Sequence, residues 1–189
     1  LDIVQDSAGN SWIPALGDTN DIGNLQPGMG YQIAINGETD VPFAYQPGQA
    51  VGTTRSGARS AASAFASVPA SGLPFTVVVS SVSLAGAALP VGASVGVFDG
   101  DICVGATAYE GGDYLKIVAW ERYAALGLDG FTVGHPMDFR ISADIHGQPE
   151  VFTPTIHAVR GQGTFKDSSY AIVALTVGAD QVGPVVEMI

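Results

Sequence analysis

Residues 1–43 read LDIVQDSAGNSWIPALGDTNDIGNLQPGMGYQIAINGETDVPF, and their pattern determines the fold predicted for the N-terminal part of the chain. Short apolar pieces (LDIV, SWIPAL, GYQIAI and VPF) alternate with turn-forming residues in almost every gap. Glycine, asparagine, aspartate and proline supply the backbone angles that reverse a strand. The stretch therefore predicts a β-meander.

The β pattern returns after residue 72, in the stretches FTVVVSSVSLAG, SVGVF, ICVGATAY, DYLKIVAW, FTVG, PMDFRIS, VFTPTIHAV and SYAIVALTV. Their spacing of about 8–12 residues is typical of a sandwich or barrel. Asp99 and Gly100 provide a hairpin signal between SVGVF and ICVGATAY. Between the two halves, residues 52–72 are small and polar, which indicates a linker or a surface loop.

We therefore predict an all-β fold in two parts. A small N-terminal β-meander module covers residues 1–51, and residues 52–72 form the linker or loop. A larger antiparallel β-sandwich, immunoglobulin-like or jelly-roll-like, covers residues 73–189 and ends in an apolar tail. A chain of 189 residues is long enough to bury a core without disulfides or metals.

Composition and charge exclude several classes of function. Eighteen acidic residues stand against seven lysines and arginines, which gives a net charge of −11. A nucleic-acid partner requires a basic face to neutralise phosphate, so none is expected. No run reaches the ~20 apolar residues of a membrane-spanning helix, so membrane insertion is not expected either. The single cysteine, Cys103, cannot form an intrachain disulfide and is predicted to be a small buried hydrophobe.

The opening stretch follows the pattern L-x-I-V-x-D-x-x-G-x-x-W/Y-x-P, then N-x-I-G-x-L-x-P-G-x-G-Y-x-I. The matching residues are Leu1, Ile3, Val4, Asp6, Gly9, Trp12, Pro14, Asn20, Ile22, Gly23, Leu25, Pro27, Gly28, Gly30, Tyr31 and Ile33. This segment resembles one in large secreted and cell-surface proteins of Bacteroidetes-like bacteria, of the kind exported by type IX secretion. The resemblance implies an extracellular or cell-surface location, and it implies no specific activity.

The second half follows a related pattern, G-D-x-I-G-V-F-D-G-x-x-V-G-A, then G, W, D-G-F-x-x-G-x-x-M-x-F-R. The matches are Gly92, Val95, Gly96, Val97, Phe98, Asp99, Gly100, Val104, Gly105, Ala106, Gly111, Trp120, Asp129, Gly130, Phe131, Gly134, Met137, Phe139 and Arg140. This half resembles modules that follow the first segment in the same surface proteins. Glu121, Arg122 and Tyr123 replace the acidic cluster that those proteins carry after the tryptophan, which argues against a metal role for this loop.

The two ends of the chain suggest assembly. In the similar proteins an apolar strand precedes the first segment, and this sequence begins just after the point where that strand would end. We therefore predict an open sheet edge beside LDIV and a donor strand in the apolar tail, residues 182–189. The predicted assembly interface consists of Leu1, Ile3, Val4, Val182, Val185, Val186, Met188 and Ile189. In the alternative reading, the tail completes the sheet of its own domain.

No residue set predicts an enzyme or a bound cofactor. The sequence lacks a nucleophile motif, and His135, His146 and His157 show no zinc-ligand spacing. Glu110 and Glu121 flank the stretch DYLKIVAW, but nothing marks them as a catalytic carboxylate pair.

Two further sites are weak candidates. Calcium could bind at Asp18, Asn20 and Asp21 or at Asp99 and Asp101, although Ile22 and Met29 occupy positions where an EF-hand loop needs oxygen ligands. Lys116, on a predicted strand, could form an isopeptide crosslink with an asparagine or aspartate, as in some surface adhesins, but no motif marks such a site.

The sequence thus favours a non-enzymatic extracellular structural or adhesive subunit. We expect it to polymerise with copies of itself into a filament or surface layer through β-strand addition. The alternative is a carbohydrate-binding or adhesin module clipped from a larger secreted protein, with polysaccharide or another surface protein as partner. Trp12, Tyr31, Phe43 and Tyr45 would then form a sugar-stacking platform, although the spacing of Trp12 and Tyr31 also fits core packing.

Overall fold

The computed structural model describes residues 1–17, 20–36, 63–145 and 147–182. The strands in this part of the chain are β1 (Ile3–Asp6), β2 (Ser11–Trp12), β3 (Tyr31–Ala34), β4 (Pro74–Leu84), β5 (Ala87–Ala88), β6 (Ser94–Asp99), β7 (Ile102–Ala108), β8 (Leu115–Trp120), β9 (Asp138–Ile145), β10 (Gln148–Phe152), β11 (Thr155–Arg160) and β12 (Ala171–Val177). Short 3₁₀ turns cover Pro14–Leu16 and Ala124–Leu126. The predicted all-β class is confirmed. Among these residues, no helix has the length and apolar character needed to cross a bilayer.

The strands form three sheets. The N-terminal sheet has the order β2-β1-β3 and is antiparallel throughout. The middle sheet has the order β11-β12-β4, with β5 and β8 paired to different parts of β4. The outer sheet has the order β10-β9-β6-β7.

The middle and outer sheets face one another across the main core, consistent with a β-sandwich. On β4, the alternate residues Phe75, Val77 and Val79 point into this core, as the two-residue period of a strand requires. Val95 on β6 and Phe139 on β9 meet them from the outer sheet. The predicted hairpin joins β6 to β7 as an antiparallel pair, but its turn residues are Gly100 and Asp101, one position later than the Asp99-Gly100 signal.

One strand pair departs from the predicted antiparallel arrangement. β12 runs parallel to β4 along the register from Ala171↔Val77 to Val177↔Leu84. Apolar alternation specifies which face of a strand is buried but carries no information on its direction, so the sequence pattern could not reveal this pairing.

The N-terminal sheet packs on the opposite face of the middle sheet and makes a third layer. A second apolar cluster of Ile3, Ile13, Val78 and Tyr170 joins the two sheets. Full burial contributes roughly 1.5–3 kcal/mol for an aliphatic side chain such as Ile3, Ile13 or Val78, before the cost of ordering the chain. These contacts fix the position of the N-terminal sheet on the sandwich.

β1 is the central strand of the N-terminal sheet. Val4 pairs with Trp12 of β2 on one side and with Ile33 of β3 on the other. The prediction of an open edge beside LDIV is therefore wrong. It assumed that β1 was flanked on one side by a missing strand, whereas the chain crosses over after β2 and supplies β3 to that position.

The described part of the predicted linker, residues 63–72, lies against the outer sheet. The Ala64 N–H donates a hydrogen bond to Ser94 Oγ (2.9 Å). The Val68 N–H donates to the Cys103 carbonyl (2.9 Å). The Phe65 ring meets the Phe98 ring edge-on, at 5.5 Å between centroids. The remainder of the predicted linker, residues 52–62, lies outside the described residues.

Two glycines permit close backbone approaches near β8. A Cβ at Gly105 of β7 would lie 2.3 Å from the Val118 carbonyl oxygen of β8. A Cβ at Gly130 would lie 2.3 Å from the Trp120 carbonyl oxygen, where the loop after β8 folds back. Since both neighbours are backbone atoms, a larger residue at either position would displace a strand or loop.

Candidate functional site

A tight turn places the N-terminal sheet against β8. The Asp6 carboxylate accepts hydrogen bonds from the Ala8 N–H (2.9 Å) and from the backbone and side chain of Asn10 (3.0 and 2.9 Å). This turn brings Gly9 so close to β8 that a Cβ there would lie 2.6 Å from Val118 Cγ1. Gly9 also has a φ of +86°, a conformation that only glycine adopts readily.

The face of the N-terminal sheet that points away from the sandwich carries an apolar groove of about 260 Å³. Its floor is the cross-strand row Trp12, Val4 and Ile33. The groove is lined by Leu1, Val4, Trp12, Asn20, Ile22, Gly23, Leu25, Ile33 and Ile35. Leu1, Ile33 and Ile35 are 52%, 40% and 46% exposed, so this face presents aliphatic surface to solvent.

β3 borders the apolar groove and is an edge strand of the sheet that the described residues form. Within the described residues, β3 pairs with β1 alone. Its sequence, Tyr-Gln-Ile-Ala, contains no proline or charge. By contrast, the edge strand β10 contains Pro149 and Glu150, and β11 has a register shift between Ala158 and Arg160. Such features discourage strand addition at a sheet edge, and β3 lacks them.

A recess of about 270 Å³ lies on the other side of β3, between the N-terminal sheet and the loop before β12. Polar side chains from both sides, including Gln5, Gln32, Ser168 and Ser169, line it. β3 therefore has an apolar surface on one face and a more polar recess on the other.

A larger cleft of about 800 Å³, the polar cleft, separates the N-terminal turns from β7 and β8. Its lining includes Asn10, Asn20, Asp21, Glu110, Tyr114, Lys116 and Trp120. Aromatic rings beside amide and carboxylate groups can stack on and hydrogen-bond to a polar ligand such as a sugar.

Lys116 of β8 is the central charged group of the polar cleft. Its Nζ is in direct contact with Asp21 Oδ2 and lies 3.5 Å from Ser11 Oγ. Burial lowers the pKa of Lys116 to about 8, and the negative charge of Asp6 partly opposes this shift. The Asp21 backbone N–H donates to the Ser11 carbonyl (3.0 Å), which holds Asp21 over the lysine.

The described calcium candidates have partners within the protein. Asn20 Oδ1 accepts a hydrogen bond from the Gly23 N–H (2.9 Å), and Asp21 contacts Lys116. Asp99 bonds to the Thr132 N–H and to His135, and Asp101 pairs with Arg140 (3.2 Å). Asp18 lies outside the described residues. Among those described, no group of three or more His, Cys, Asp or Glu side chains could hold a metal ion.

The residues weighed for catalysis are dispersed in the part of the chain that the structure covers. Glu110 lines the polar cleft, while Glu121 pairs with Lys166 (2.5 Å). His135 lies beside Asp99 and His157 is on β11. His146 lies outside the described residues. Cys103 is buried, and burial raises the pKa of its thiol.

The residues predicted for assembly occupy different environments. Leu1 is exposed at the rim of the apolar groove and Val4 lies on its floor. Ile3 faces the sandwich in the cluster with Tyr170, and Val182 packs against the main core. The remaining members, Val185, Val186, Met188 and Ile189, lie outside the described residues.

The predicted aromatic platform is only partly described. Trp12 lines the apolar groove, and Tyr31 on β3 accepts a hydrogen bond at its hydroxyl from the Gln26 N–H (2.8 Å). Phe43 and Tyr45 lie outside the described residues. Sequence reasoning missed two other aromatic candidates, Tyr114 and Trp120, which lie at opposite ends of β8 and both line the polar cleft. The cleft itself forms only where the N-terminal turns pack on β8.

Searches of the chain against protein-family models, curated protein sequences and solved structures found no match.

Proposed function

We propose that this chain is a non-enzymatic, extracellular structural or adhesive subunit that assembles with copies of itself through β-strand addition. The observation that carries the proposal is the position of β3 beside the apolar groove, at the edge of the sheet formed by the described residues. Unpaired backbone groups at such an edge can accept a strand, and exposed apolar side chains beside it favour burial. The low content of charged residues, 13% of the chain, is compatible with a subunit that buries surface against its neighbours.

Both faces of an incoming strand would contact the acceptor site. A strand added beside β3 would extend the row Trp12, Val4 and Ile33, so every second side chain would lie over the apolar groove. The intervening side chains would face the recess that Gln32 and Ser169 line. This arrangement favours a donor with apolar residues at alternate positions and small or polar residues between them.

The donor in this proposal is residues 183–189, GPVVEMI, of a second copy. Four of these residues (Val185, Val186, Met188 and Ile189) are large and apolar. In a strand only one alternate pair, Val186 with Met188 or Val185 with Ile189, can lie over the apolar groove, and each side chain of that pair could contribute roughly 1.5–3 kcal/mol if fully buried, before the ordering costs of association.

The geometry of β12 favours donation between copies over pairing within one copy. Tyr170, just before β12, packs beneath the N-terminal sheet, whereas Val177, at its end, pairs with Leu84. β12 therefore ends on the side of the sandwich away from β3, and Val182 packs against the main core there. Seven residues span at most ~25 Å, about the length of β12 itself. A donor at one end and an acceptor at the other give a head-to-tail contact, which generates an open filament when the rotation does not close.

Assembly is tested by sedimentation velocity and negative-stain microscopy on four proteins. These are the natural chain, a chain lacking residues 183–189, Ile33→Lys and Val151→Lys. Ile33 lines the apolar groove. Val151 is the matched control, because it is also an exposed β-branched aliphatic residue (61% exposed) but lies on the edge strand β10. We expect polymers from the natural chain and Val151→Lys only. A natural chain that stays monomeric at high concentration refutes the proposal, and polymers from the truncated chain refute its donor.

A second candidate function is carbohydrate binding, as an adhesin module, and the polar cleft is the observation that favours it. Tyr114 and Trp120 lie there with the amide and carboxylate groups of Asn10 and Glu110. Affinity electrophoresis in polysaccharide gels would compare Tyr114→Ala and Trp120→Ala with Trp12→Ala, which changes the apolar groove instead. Retardation of the natural chain that the two cleft variants lose and Trp12→Ala keeps supports this function. Equal mobility of all four proteins in every gel contradicts it.

A further inference from the structure

The contact between Lys116 and Asp21 joins two parts of the fold that are far apart in sequence. Lys116 projects from β8 of the middle sheet, and Asp21 lies in the loop between β2 and β3 of the N-terminal sheet. Both are anchored, Lys116 by the β4–β8 ladder and Asp21 by its hydrogen bond to Ser11. We propose that Lys116 Nζ and Asp21 Cγ form an intramolecular isopeptide bond, with the loss of one water molecule.

The condensation requires no group from outside the chain. The neutral Lys116 amine attacks Cγ of Asp21 in its acid form, and an N–C bond forms. The bond from Cγ to the hydroxyl oxygen then breaks. That hydroxyl leaves as water with one proton from Nζ, and the other hydrogen stays on the amide nitrogen. No atom is oxidised or reduced.

The environment of Lys116 favours the neutral amine. Burial brings its pKa down from 10.5 to about 8. Roughly a tenth of the amines are then neutral at pH 7, compared with far fewer for an exposed lysine. Neutral amine is the nucleophile, so the burial of Lys116 raises the fraction of chains whose amine can react at neutral pH.

Carboxylates surround the reacting pair. Asp6 is 1% exposed and is held by the Ala8 and Asn10 hydrogen bonds, and its charge acts on Lys116. In this proposal its carboxylate takes up the proton that leaves Nζ. Glu110 lines the same cleft and adds further negative charge.

The fold supplies the driving force and an exit for water. Amide formation is unfavourable for separate molecules in water, but groups held in contact reach effective molarities of about 10⁵–10⁸ M. The Lys116 side chain is 21% exposed and that of Asp21 is 46% exposed, so the released water leaves through the open cleft. The bond would fasten the N-terminal sheet covalently to the sandwich. This inference stands independently of the proposed assembly.

Intact-mass spectrometry of the purified full chain tests the bond. We expect a mass lower than that of the sequence by one water molecule, and a branched peptide joining the Lys116 and Asp21 segments after proteolysis. Lys116→Arg and Asp21→Ala should each have the full mass. The matched control is Lys166→Arg, which changes the other lysine–carboxylate pair, Lys166 with Glu121, and should keep the deficit.

The test remains decisive if the variants fold poorly, because it can be read from the natural chain alone. A natural chain with the full sequence mass after prolonged incubation at pH 8 overturns the proposal. So does a deficit that peptide mapping assigns to a succinimide at Asp99 or Asp129, each of which precedes a glycine. Asp6→Asn should slow the appearance of the deficit several-fold, and an unchanged rate would remove Asp6 from the mechanism.

Discussion

Gly105 tests whether β7 and β8 cross as closely as described, since this crossing forms one wall of the polar cleft. In Gly105→Ala, the new methyl group would lie 2.3 Å from the Val118 carbonyl oxygen and 3.0 Å from Ala119 Cα. Ordinary contacts need about 1 Å more, and Val118 is held in the β4–β8 ladder by its pairing with Thr76. The strands must therefore separate, or the ladder must distort.

Two opposing effects set the size of the Gly105→Ala change. Alanine stabilises by about 0.4–1 kcal/mol through the unfolded chain, where it has fewer conformations than glycine. Overpacking in a core costs typically 1–3 kcal/mol and occasionally more, and here the obstacle is backbone. We expect a net loss of about 2 kcal/mol in the free energy of unfolding, which lowers the Tm by roughly 4–8 °C in a chain of this length.

Thermal and urea unfolding of Gly105→Ala and Gly30→Ala provide the assay. Gly30 has no atom within 4 Å of its hypothetical Cβ, so Gly30→Ala should leave the Tm unchanged or slightly raised. The urea midpoint of Gly105→Ala should fall with an unchanged m-value, because the same surface is exposed on unfolding. A Tm for Gly105→Ala equal to that of Gly30→Ala would refute the close crossing of the two strands.

Three further predictions concern single side chains. Asp6→Ala removes three hydrogen bonds from the turn that holds Gly9 against β8, and it should lower the free energy of unfolding in urea by about 2 kcal/mol. A loss below about 0.5 kcal/mol would contradict the claim that Asp6 stabilises this turn. Cys103 should react with iodoacetamide at pH 8 far more slowly in the folded chain than in urea, because burial raises the pKa of its thiol; equal rates would show that the site is open. Phe65→Ala should lower the Tm by several degrees through loss of its contact with Phe98, and an unchanged Tm would mean that residues 63–72 do not stabilise the outer sheet.

The parts of the fold that sequence could predict are those encoded locally. The hairpin between β6 and β7 needs only a turn signal between two apolar strands, and its first turn residue, Gly100, has a positive φ. The long strand β4 follows from its run of β-branched residues. The stretch FTVG, residues 131–134, was also predicted to be a strand. Its first residue, Phe131, forms only an isolated bridge to Glu121, because the loop after β8 folds back over Gly130.

Strand order and partner choice could not be predicted, because they depend on the packing of distant segments. Ile3 and Val4 have the same local pattern whether β1 is central or at an edge, so the open edge was assigned to the wrong strand. The candidate site shows the same limit. Lys116 stood out as a lysine on a strand, but its contact with Asp21 arises only when the N-terminal sheet docks on β8. The sequence pattern includes Gly105, but it does not show why a glycine is needed there. The structure shows that a side chain at this position would collide with the backbone of β8.

Hydrogen exchange at β3 tests the proposed strand addition most directly. Amide exchange in the peptide covering Tyr31–Ala34 is followed by mass spectrometry in dilute protein and in concentrated, assembled protein, with β10 as the comparison edge. Strand addition predicts slower exchange in β3 on assembly, unchanged exchange in β10, and no such slowing in the chain that lacks residues 183–189. Assembly that leaves the exchange of β3 unchanged would contradict the claim that its edge is where copies join.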